Sequence, residues 1–349
     1  MAVTVLGECV ADAFVTPQPS ATAPATAPAA APATAPATAE QLALTVHPGG
    51  GPANTATALA RLGTPTRFLG RLSTDPFGTL FRDRLAGSGV DLGDCVTAAE
   101  PSTLAIAALD PTGQARYSFH AEGTADWQWR PAELAAVDLT GTQAVHTGSL
   151  ALVRAPGGAV VEEFLARAGA HATLSIDPNL RPLLVDPERY RERIARWCAL
   201  ADLLRLSADD LALLSPGLSP EAACDGWHAL GVPLVVLTLG EQGALVSLNG
   251  ARARLEAVRV RVVDTVGAGD AFTGGLLHHL AGRQLLGGRL TATPAGPPAP
   301  GDPAPTPARP GPTLDQVVEA ARFATRVAAL TCAVAGANPP WADELTDAG

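Results

Sequence analysis

The stretch VVDTVGAGDAFTGG, residues 262–275, places glycine next to acid between two apolar runs. The Val-rich segment ARLEAVRVRVV before it predicts strands that arrive at Asp264, and DAFTGGLLHHLAG has apolar residues at helical spacing. The stretch therefore predicts a strand, a glycine turn and a helix. Gly267 and Gly269 allow a tight turn and the close approach of another molecule, because neither has a Cβ atom.

The start of this predicted helix is suited to an anion. The amides of Gly267, Ala268, Gly269 and Asp270 would be first-turn donors at the positive end of the helix dipole. Phosphate is therefore the first candidate ligand. An acid beside a phosphate is costly unless it has a task, so Asp270 is a candidate catalytic base.

Other interpretations of the stretch compete with a phosphate site. A P-loop needs Lys and Ser/Thr after its last glycine, and a dinucleotide fingerprint needs a third glycine early in a βαβ unit, so neither fits well. Alternatively, Asp264 or Asp270 caps a helix and the glycines only form a turn. The spacing by itself leaves both the phosphate site and the helix cap open.

The composition indicates a globular chain. It has 349 residues, 47% of them hydrophobic, which is enough for a substantial core. The net charge of −10 without a Lys/Arg block predicts no nucleic-acid partner, although a small anionic ligand is still allowed. The 5 cysteines occur in no C-x-x-C pattern, which predicts reduced thiols. With no signal peptide or membrane span expected, we predict a cytoplasmic protein.

Two segments rich in Ala, Pro and Thr predict no regular structure. Residues 17–39 and 292–312 have proline every few positions, which blocks helices, and they lack the apolar side chains of a core. We expect both to be flexible surface insertions in a single domain. Partner binding through these segments is a further hypothesis, but they carry no flanking aromatic or basic features that would support it.

Between these segments the chain alternates strands and helices. The segments VTVLGECV, TRFLGRL, QAVHTGS, ATLSIDPN, ADLLRLS and PLVVLTLG predict short buried strands. Their alternation with helical segments is typical of an α/β fold with a doubly wound, mainly parallel sheet. STLAIAALD and ARYSFHAEG flank the turn DPTG and predict a hairpin that interrupts the alternation.

Ligands of such sheets bind at the carboxyl ends of the strands. Those ends hold residues 7–12, GGGPAN, DPNLR at 177–181, SADD at 207–210, TLGEQGA at 238–244 and the opening stretch. One face of the molecule should therefore collect all of them. HPGGGPAN offers bare backbone and the Asn54 amide to a hydroxylated ligand, or it is an ordinary capped turn.

Two segments, GGGPANTATALARLG and DTVGAGDAFTGGLL, resemble the two signatures of the ribokinase-like (PfkB) family of carbohydrate kinases. The start at Gly7-Glu8, together with DPFG, DPNLR, TLGEQGA and FATRVAALTCAVAGANPP, extends this resemblance over the chain outside the Pro-rich segments. The resemblance implies a ribokinase-like three-layer fold, with a central mainly parallel sheet and helices on both faces. It also implies a small β lid from about 8–16, 41–47 and 102–123.

The resemblance implies roles for individual residues. Asp270 resembles the catalytic base, and Gly267, Ala268 and Gly269 resemble the anion hole. Sugar contacts are implied for Asp12, Gly50 and Asn54, and nucleotide contacts for Thr238, Gly240, Gly243 and, in the late helix, Thr325. Asp264 and the loop at Ala335 and Gly336 resemble a monovalent-cation site for an ion such as K⁺. SADD departs from the family's Asn-x-x-Glu, so Asp210 is the carboxylate left for Mg²⁺ or phosphate, acting through water.

The implied activity is transfer of the γ-phosphoryl group of ATP to a sugar hydroxyl, with Mg²⁺ bridging the phosphates. An ionised Asp270 would accept the hydroxyl proton as the O–P bond forms. GGGPAN and DPNLR favour a fructokinase-like member whose acceptor is a primary hydroxyl of fructose. Ribose or nucleoside kinases and a non-catalytic sensor on the same fold are alternatives.

A kinase of 2-keto-3-deoxygluconate is a further alternative. Relatives that act on this sugar acid have a Y-x-R-like lid element, whereas YSFHAEG has His120 in that region and no Arg after it. Arg181 is still able to pair with a carboxylate. His120 is either a sugar contact or a surface histidine of the lid. Because lids of this family often clasp across dimers, a homodimer through the lid is the expected protein partner.

Overall fold

The computed structural model of the chain describes residues 1–15, 42–109, 115–290 and 311–345. The insertions predicted at 17–39 and 292–312 lie outside the described residues, apart from residues 311 and 312. The described strands are β1 (Ala2–Leu6), β2 (Val10–Val15), β3 (Leu44–Gly49), β4 (Thr66–Leu69), β5 (Arg71–Ser73), β6 (Val96–Ala98), β7 (Thr103–Leu109), β8 (Ala115–His120), β9 (Thr142–Gly148), β10 (Thr173–Asp177), β11 (Leu203–Ser207), β12 (Leu234–Thr238), β13 (Ala244–Leu248) and β14 (Ala251–Leu255). The described α-helices are α1 (Gly51–Arg61), α2 (Pro76–Gly87), α3 (Pro131–Ala135), α4 (Gly157–Ala168), α5 (Pro187–Leu200), α6 (Ala208–Leu214), α7 (Pro220–Ala229), α8 (Ala268–Gly282) and α9 (Leu314–Cys332).

Eight strands form the central sheet, in the order β14-β13-β12-β11-β10-β9-β1-β4. The strands from β4 to β12 in this order pair in parallel, while β13 and β14 add an antiparallel edge. The central strands β9 and β10 are buried along their whole length. Such fully buried strands are typical of parallel sheets that are covered on both faces.

Helices pack on both faces of the central sheet, because neighbouring residues of each strand point to opposite sides. Val145 belongs to one core cluster together with Trp197 of α5, and Ala144 belongs to a second cluster together with Leu276 of α8. The predicted α/β, doubly wound architecture is therefore confirmed. None of the helices in the described ranges is long and apolar enough to cross a membrane.

A second, four-stranded sheet has the order β3-β2-β7-β8, and we refer to it as the small sheet. β2 follows β1 after only three residues, so the chain passes directly from the central sheet into the small sheet. β7 and β8 pair antiparallel, as the predicted hairpin requires. The small sheet contains strands in all three segments that were predicted to form a lid, while its action as a lid stays a prediction.

The segment before the opening glycine turn differs from its prediction. β14 ends at Leu255, and residues 256–266 form no helix or strand, so the strand predicted to reach Asp264 is wrong there. Val262 and Val263 are exposed, which shows that this Val-rich run has no core to pack against. The helix α8 starts at Ala268, with Gly267 as its N-cap. The segment that leads into α8 is thus irregular rather than a strand.

Candidate active site

A cavity of about 560 Å³ lies between the small sheet and the carboxyl ends of β1, β9, β10 and β11. Eight residues singled out from the sequence line it: Asp12, Gly50, Asn54, Arg181, Asp210, Gly267, Gly269 and Asp270. The remaining seven do not line it: Ala268, His120, Thr238, Gly240, Gly243, Thr325 and Asp264. The two sequence signatures thus meet in one cavity, as the strand-end rule predicts.

Asp270 lies in the first turn of α8 and is held by Asn54 of α1. The Asn54 Nδ2 atom donates to Asp270 Oδ2 at 2.8 Å, and the Thr55 hydroxyl donates to the Asp270 carbonyl at 3.3 Å. Burial raises the pKa of Asp270, whereas the Asn54 hydrogen bond and the charges of Arg181 and Arg205 lower it. The residue is 9% exposed, and its carboxylate borders the cavity. This arrangement holds one buried carboxylate at the wall of the cavity.

The glycine turn before α8 leaves amides free. Gly267 has φ 77, a left-handed value that favours glycine, and a Cβ atom there would lie 2.6 Å from the Ala337 Cβ. The Ala268 amide donates to the Thr265 carbonyl at 3.2 Å. The amides of Gly269 and Asp270, by contrast, donate to no backbone oxygen within the described ranges. Two donors at a helix N-terminus therefore remain for an anion.

Arg205 lies beside this turn and was missed by the sequence reasoning. It is only 5% exposed, near the end of β11, and its Nη1 atom donates to Asp177 Oδ2 at 2.8 Å. Its Nη2 atom donates to the Thr238 hydroxyl at 2.5 Å. A Cβ atom on Gly269 would come within 2.7 Å of Nη1, so only glycine lets the turn approach the guanidinium this closely. The one signal in the sequence was a charged residue inside the apolar strand ADLLRLS.

The Arg205–Asp177 ion pair fixes a positive charge near the free amides. Burial raises the pKa of Asp177 to about 6, although the Arg205 charge opposes this rise. Burial lowers the pKa of Arg205, but the carboxylates of Asp177, Asp210 and Asp270 together outweigh burial and raise the pKa, so Arg205 stays charged. The Arg205 Nε atom and Asp177 Oδ1 are buried without a hydrogen-bond partner among the described residues.

The other end of the cavity combines bare backbone with carboxylates. Gly50 has φ 101, and a Cβ atom there would lie 2.5 Å from the Glu8 carbonyl oxygen. Burial raises the pKa of Asp12 to about 6, an effect that Arg181 opposes and Asp270 reinforces. Arg181 is exposed and donates to Asn179 Oδ1 at 2.6 Å. Arg181 thus faces several carboxylates across the cavity.

His120 is not brought to the cavity. It ends β8 and is exposed, whereas its neighbour Phe119 lines the cavity. Successive residues of a strand point to opposite faces, so only one of the two is able to face the ligand. Of the two interpretations of His120, the structure supports the surface histidine.

Asp210 is the N3 residue of a capping box in which Ser207 is the N-cap of α6. Its two carboxylate oxygens accept the amides of Leu180 and Ser207 at 2.7 and 2.9 Å and the Ser207 hydroxyl at 2.6 Å. Asp209 is exposed, lines the cavity and was not singled out from the sequence. Within the described parts of the chain, no group of three or more His, Cys, Asp or Glu is placed to hold a metal ion.

Asp264 joins two loops outside the cavity. Its carboxylate oxygens accept the Val266 amide at 3.0 Å and the Gly336 amide at 2.9 Å. The loop that leads to the glycine turn is therefore tied to the loop after α9, which the resemblance named as part of a cation site.

None of the residues predicted to contact a nucleotide lines the cavity. Thr238 is linked to it through Arg205. Gly240 and Gly243, with φ 58 and 82, form the turn between β12 and β13. The Thr325 hydroxyl donates to the Ala321 carbonyl at 2.8 Å within α9. The described contacts link none of Gly240, Gly243 and Thr325 to the cavity.

Known proteins similar to this chain are carbohydrate kinases. Residues 21–344 match the family described as pfkB family carbohydrate kinase. The chain belongs to the pfkB family of carbohydrate kinases. As a pfkB kinase, it is a phosphotransferase that acts on a sugar hydroxyl group. The family expected from the two sequence signatures is thus confirmed.

Fructokinases are among the relatives of this pfkB kinase. The fructokinase of Rhizobium leguminosarum bv. trifolii is 37% identical over 246 residues, which are 70% of this chain and 75% of the relative. The structure of a fructokinase with bound ATP from Xylella fastidiosa has a TM-score of 0.78 at 26% identity, covering 99% of this chain and 97% of that chain. A fructokinase from Vibrio cholerae O395 in fructose, ADP and calcium ion bound form has a TM-score of 0.73 at 25% identity, covering 96% and 94%. The ribokinase-like fold is therefore confirmed.

Proposed function

We propose that this pfkB kinase transfers the γ-phosphoryl group of ATP to a primary hydroxyl of fructose. The observation that carries the proposal is the Asn54–Asp270 hydrogen bond, which joins the two signatures at the cavity. The similarity to fructokinases supports fructose as the acceptor. A sugar bound against Gly50 would have a hydroxyl group near Asp270.

Asp270 is proposed as the general base. Burial keeps its pKa above that of a free aspartate, and Asn54 and the two arginines limit this rise. Its ionised form accepts the hydroxyl proton as the O–P bond forms. The amides of Gly269 and Asp270, with Arg205 beside them, would stabilise negative charge on the transferred group. A site with both a base and donors to the transferred group favours a catalyst over a sensor.

The charges of the cavity favour a neutral sugar. Five acidic residues and two arginines line it: Glu8, Asp12, Asp209, Asp210, Asp270, Arg181 and Arg205. Arg181 already lowers the pKa of Glu8, Asp12 and Asp270, so a sugar acid would compete with these carboxylates for it. The proposal therefore places fructose ahead of 2-keto-3-deoxygluconate.

ATP, Mg²⁺ and a monovalent cation such as K⁺ complete the proposed site. Mg²⁺ usually keeps several waters and binds one or two carboxylates plus substrate phosphates. The exposed Asp209, together with Asp210 acting through water, matches this pattern of few protein ligands. A metal ion held there would neutralise phosphate charge. The loops joined by Asp264 would hold the monovalent cation, and Thr238, Gly240, Gly243 and Thr325 remain proposed nucleotide contacts.

We also propose a homodimer formed through the small sheet. Phe14, Ala107 and Tyr117 lie side by side on three paired strands, and Phe14 and Tyr117 are 42% and 53% exposed. Adjacent exposed apolar side chains are typical of protein interfaces. Sedimentation velocity should show a dimer for the wild type and a monomer for Tyr117→Arg. A monomeric wild type would reject the dimer.

The activity is tested by measuring ATP consumption across a panel of neutral sugars, sugar acids and nucleosides. Fructose should give the highest kcat/KM. Asp270→Asn should lower kcat by about 10²- to 10⁴-fold, the usual contribution of a general base. The matched control Asp225→Asn changes an exposed acid paired with Arg252 and should leave kcat unchanged. Equal turnover in the Asp270 variant and the wild type would contradict the proposed base, and no turnover with any sugar would favour a sensor.

A further inference from the structure

Glu8 is a buried acid that the proposed chemistry does not use. It follows β1, lines the cavity and is only 2% exposed. Its Oε2 atom has no hydrogen-bond partner among the described residues. A buried polar atom without a partner destabilises the folded protein, because its hydration is lost and not replaced. Because most buried polar atoms are paired, an unpaired carboxyl oxygen on a residue that lines a cavity points to a ligand group.

Ser149 lies beside Glu8 and has an unusual backbone. It follows β9 and also lines the cavity, and its φ of 55 lies in the left-handed region that residues other than glycine rarely adopt. Such strained positions cluster at binding sites. The Ser149 hydroxyl faces the Glu8 carboxyl, whose pKa it lowers. Two polar groups from adjacent strands thus meet at one point of the cavity wall.

Glu8 and Asp270 occupy different parts of the cavity. Ser149 is the hydroxyl beside Glu8, whereas Asn54 is the side chain that holds the Asp270 carboxylate, and Arg181 lowers the pKa of both acids. Gly50, whose backbone packs against the Glu8 carbonyl, lies on the sugar side. A sugar with one hydroxyl at Asp270 would therefore direct another hydroxyl toward Glu8.

We propose that Glu8 and Ser149 form a second hydroxyl-binding subsite, which holds a hydroxyl group of a neutral sugar other than the one that is phosphorylated. This inference rests on the proposed function, because it concerns the sugar bound in the same cavity. Glu8 is a specificity-determining residue in this arrangement, and Ser149 is its hydroxyl partner.

The groups around Glu8 suit an uncharged ligand. Burial raises the pKa of Glu8 to about 7, Asp126 adds to this rise, and Ser149 and Arg181 oppose it. A carboxyl group that is partly protonated at neutral pH is able to donate a hydrogen bond to a hydroxyl oxygen or accept one from its proton. A sugar acid would instead bring a carboxylate against Glu8 and Asp12, which like charge disfavours.

The test is steady-state kinetics with fructose and a set of monodeoxyfructoses. Glu8→Ala should raise KM for fructose about tenfold, the loss expected for one hydrogen bond to a buried group, with a smaller change in kcat. With the one deoxysugar that lacks the bound hydroxyl, wild type and Glu8→Ala should have the same KM. Glu8→Gln keeps a donor and an acceptor and should retain most of the affinity. An equal rise in KM for fructose and for every deoxysugar would overturn the subsite.

Asp126→Asn is the matched control. The Asp126 carboxylate accepts hydrogen bonds from the Cys9 amide at 2.9 Å and the Thr103 hydroxyl at 2.6 Å. It therefore holds the segment after Glu8 against β7 without lining the cavity. Any effect on KM should be equal for fructose and all deoxysugars. If Glu8→Ala fails to fold, Glu8→Met carries the same comparison, with Glu8→Gln as the variant that keeps the hydrogen-bonding groups.

The activity of the wild type distinguishes failure of the proposed function from failure of the subsite. If the wild type phosphorylates no sugar, calorimetric binding of fructose and its deoxy analogues to both proteins tests the subsite alone. The subsite is supported if Glu8→Ala binds fructose more weakly than the wild type does, while both proteins bind one deoxysugar equally well. A sugar acid that binds more tightly than every neutral sugar overturns it.

Discussion

Replacing Asn54 with Leu tests whether the pKa of Asp270 is set by its hydrogen bond. The side chains are similar in size, but Leu cannot donate to Asp270 Oδ2, which now accepts at 2.8 Å. Because that hydrogen bond lowers the pKa of Asp270, its loss raises the pKa. Asp270 then stays protonated up to a higher pH, and the acid limb of the kcat/KM profile shifts to higher pH.

The size of the effect follows from the hydrogen bond. A hydrogen bond to a charged group contributes about 1.5–3 kcal/mol, which is about a 10- to 100-fold change in an equilibrium constant. On the acid limb, kcat/KM should therefore fall by about 10- to 100-fold. On the alkaline plateau Asp270 is ionised in both proteins, so the decrease there should be much smaller.

The assay is the pH dependence of kcat/KM for fructose in wild type, Asn54→Leu and Thr55→Val. Thr55→Val is the matched control, because it removes a neighbouring hydrogen bond to the Asp270 carbonyl and not to the carboxylate. Its acid limb should coincide with that of the wild type. A parallel fall at every pH in Asn54→Leu would refute the reasoning and leave Asn54 as a sugar contact only.

Two further predictions concern buried charges at the ends of the cavity. Arg205→Met should lower kcat by about 10²- to 10³-fold, as expected for the loss of a donor to a developing anion. Arg205→Lys keeps a positive charge and should recover part of this loss. An unchanged rate in single-turnover experiments would show that Arg205 takes no part in phosphoryl transfer. Glu8, with a pKa raised from 4.5 to about 7, costs folding stability as pH rises through that window. At about 1.36 kcal/mol per pKa unit, the wild type should lose about 3 kcal/mol more than Glu8→Gln between pH 4 and pH 8 in urea unfolding. Parallel stability curves would contradict this.

The fold was largely predictable from the sequence because its signals are local. Strands such as QAVHTGS and PLVVLTLG are short apolar runs, and the parallel order needs only their alternation with helices. The Val-rich run at 256–263 misled the prediction, because apolar composition does not reveal whether a core is present to cover it. Val262 and Val263 are exposed in the structure, and no strand forms there.

The site was predictable where it depends on glycine and unpredictable where it depends on pairing. Gly267 and Gly50 adopt positive φ and approach other atoms closely, which sequence patterns mark well. The same patterns do not show that Asp210 already accepts three hydrogen bonds at the start of α6, or that the alternation of β8 turns His120 away from the cavity and Phe119 toward it. Arg205 was missed because its partner Asp177 is distant in sequence and close only in the fold.

The charges around Asp270 explain how a buried acid and a phosphate are compatible in one site. Burial favours the protonated acid, while Asn54, Arg181 and Arg205 favour the ionised form that is able to accept a proton. A phosphate at the amides of Gly269 and Asp270 would add negative charge beside Asp270 and partly offset the effect of Arg205, so the pKa of the base would rise. A base whose pKa rises when phosphate is present accepts a proton more readily just where the acceptor hydroxyl must lose one. The close contact of Arg205 with Gly269 therefore matters for both partners of the transfer, since the same cation balances the phosphate and holds the base ionised.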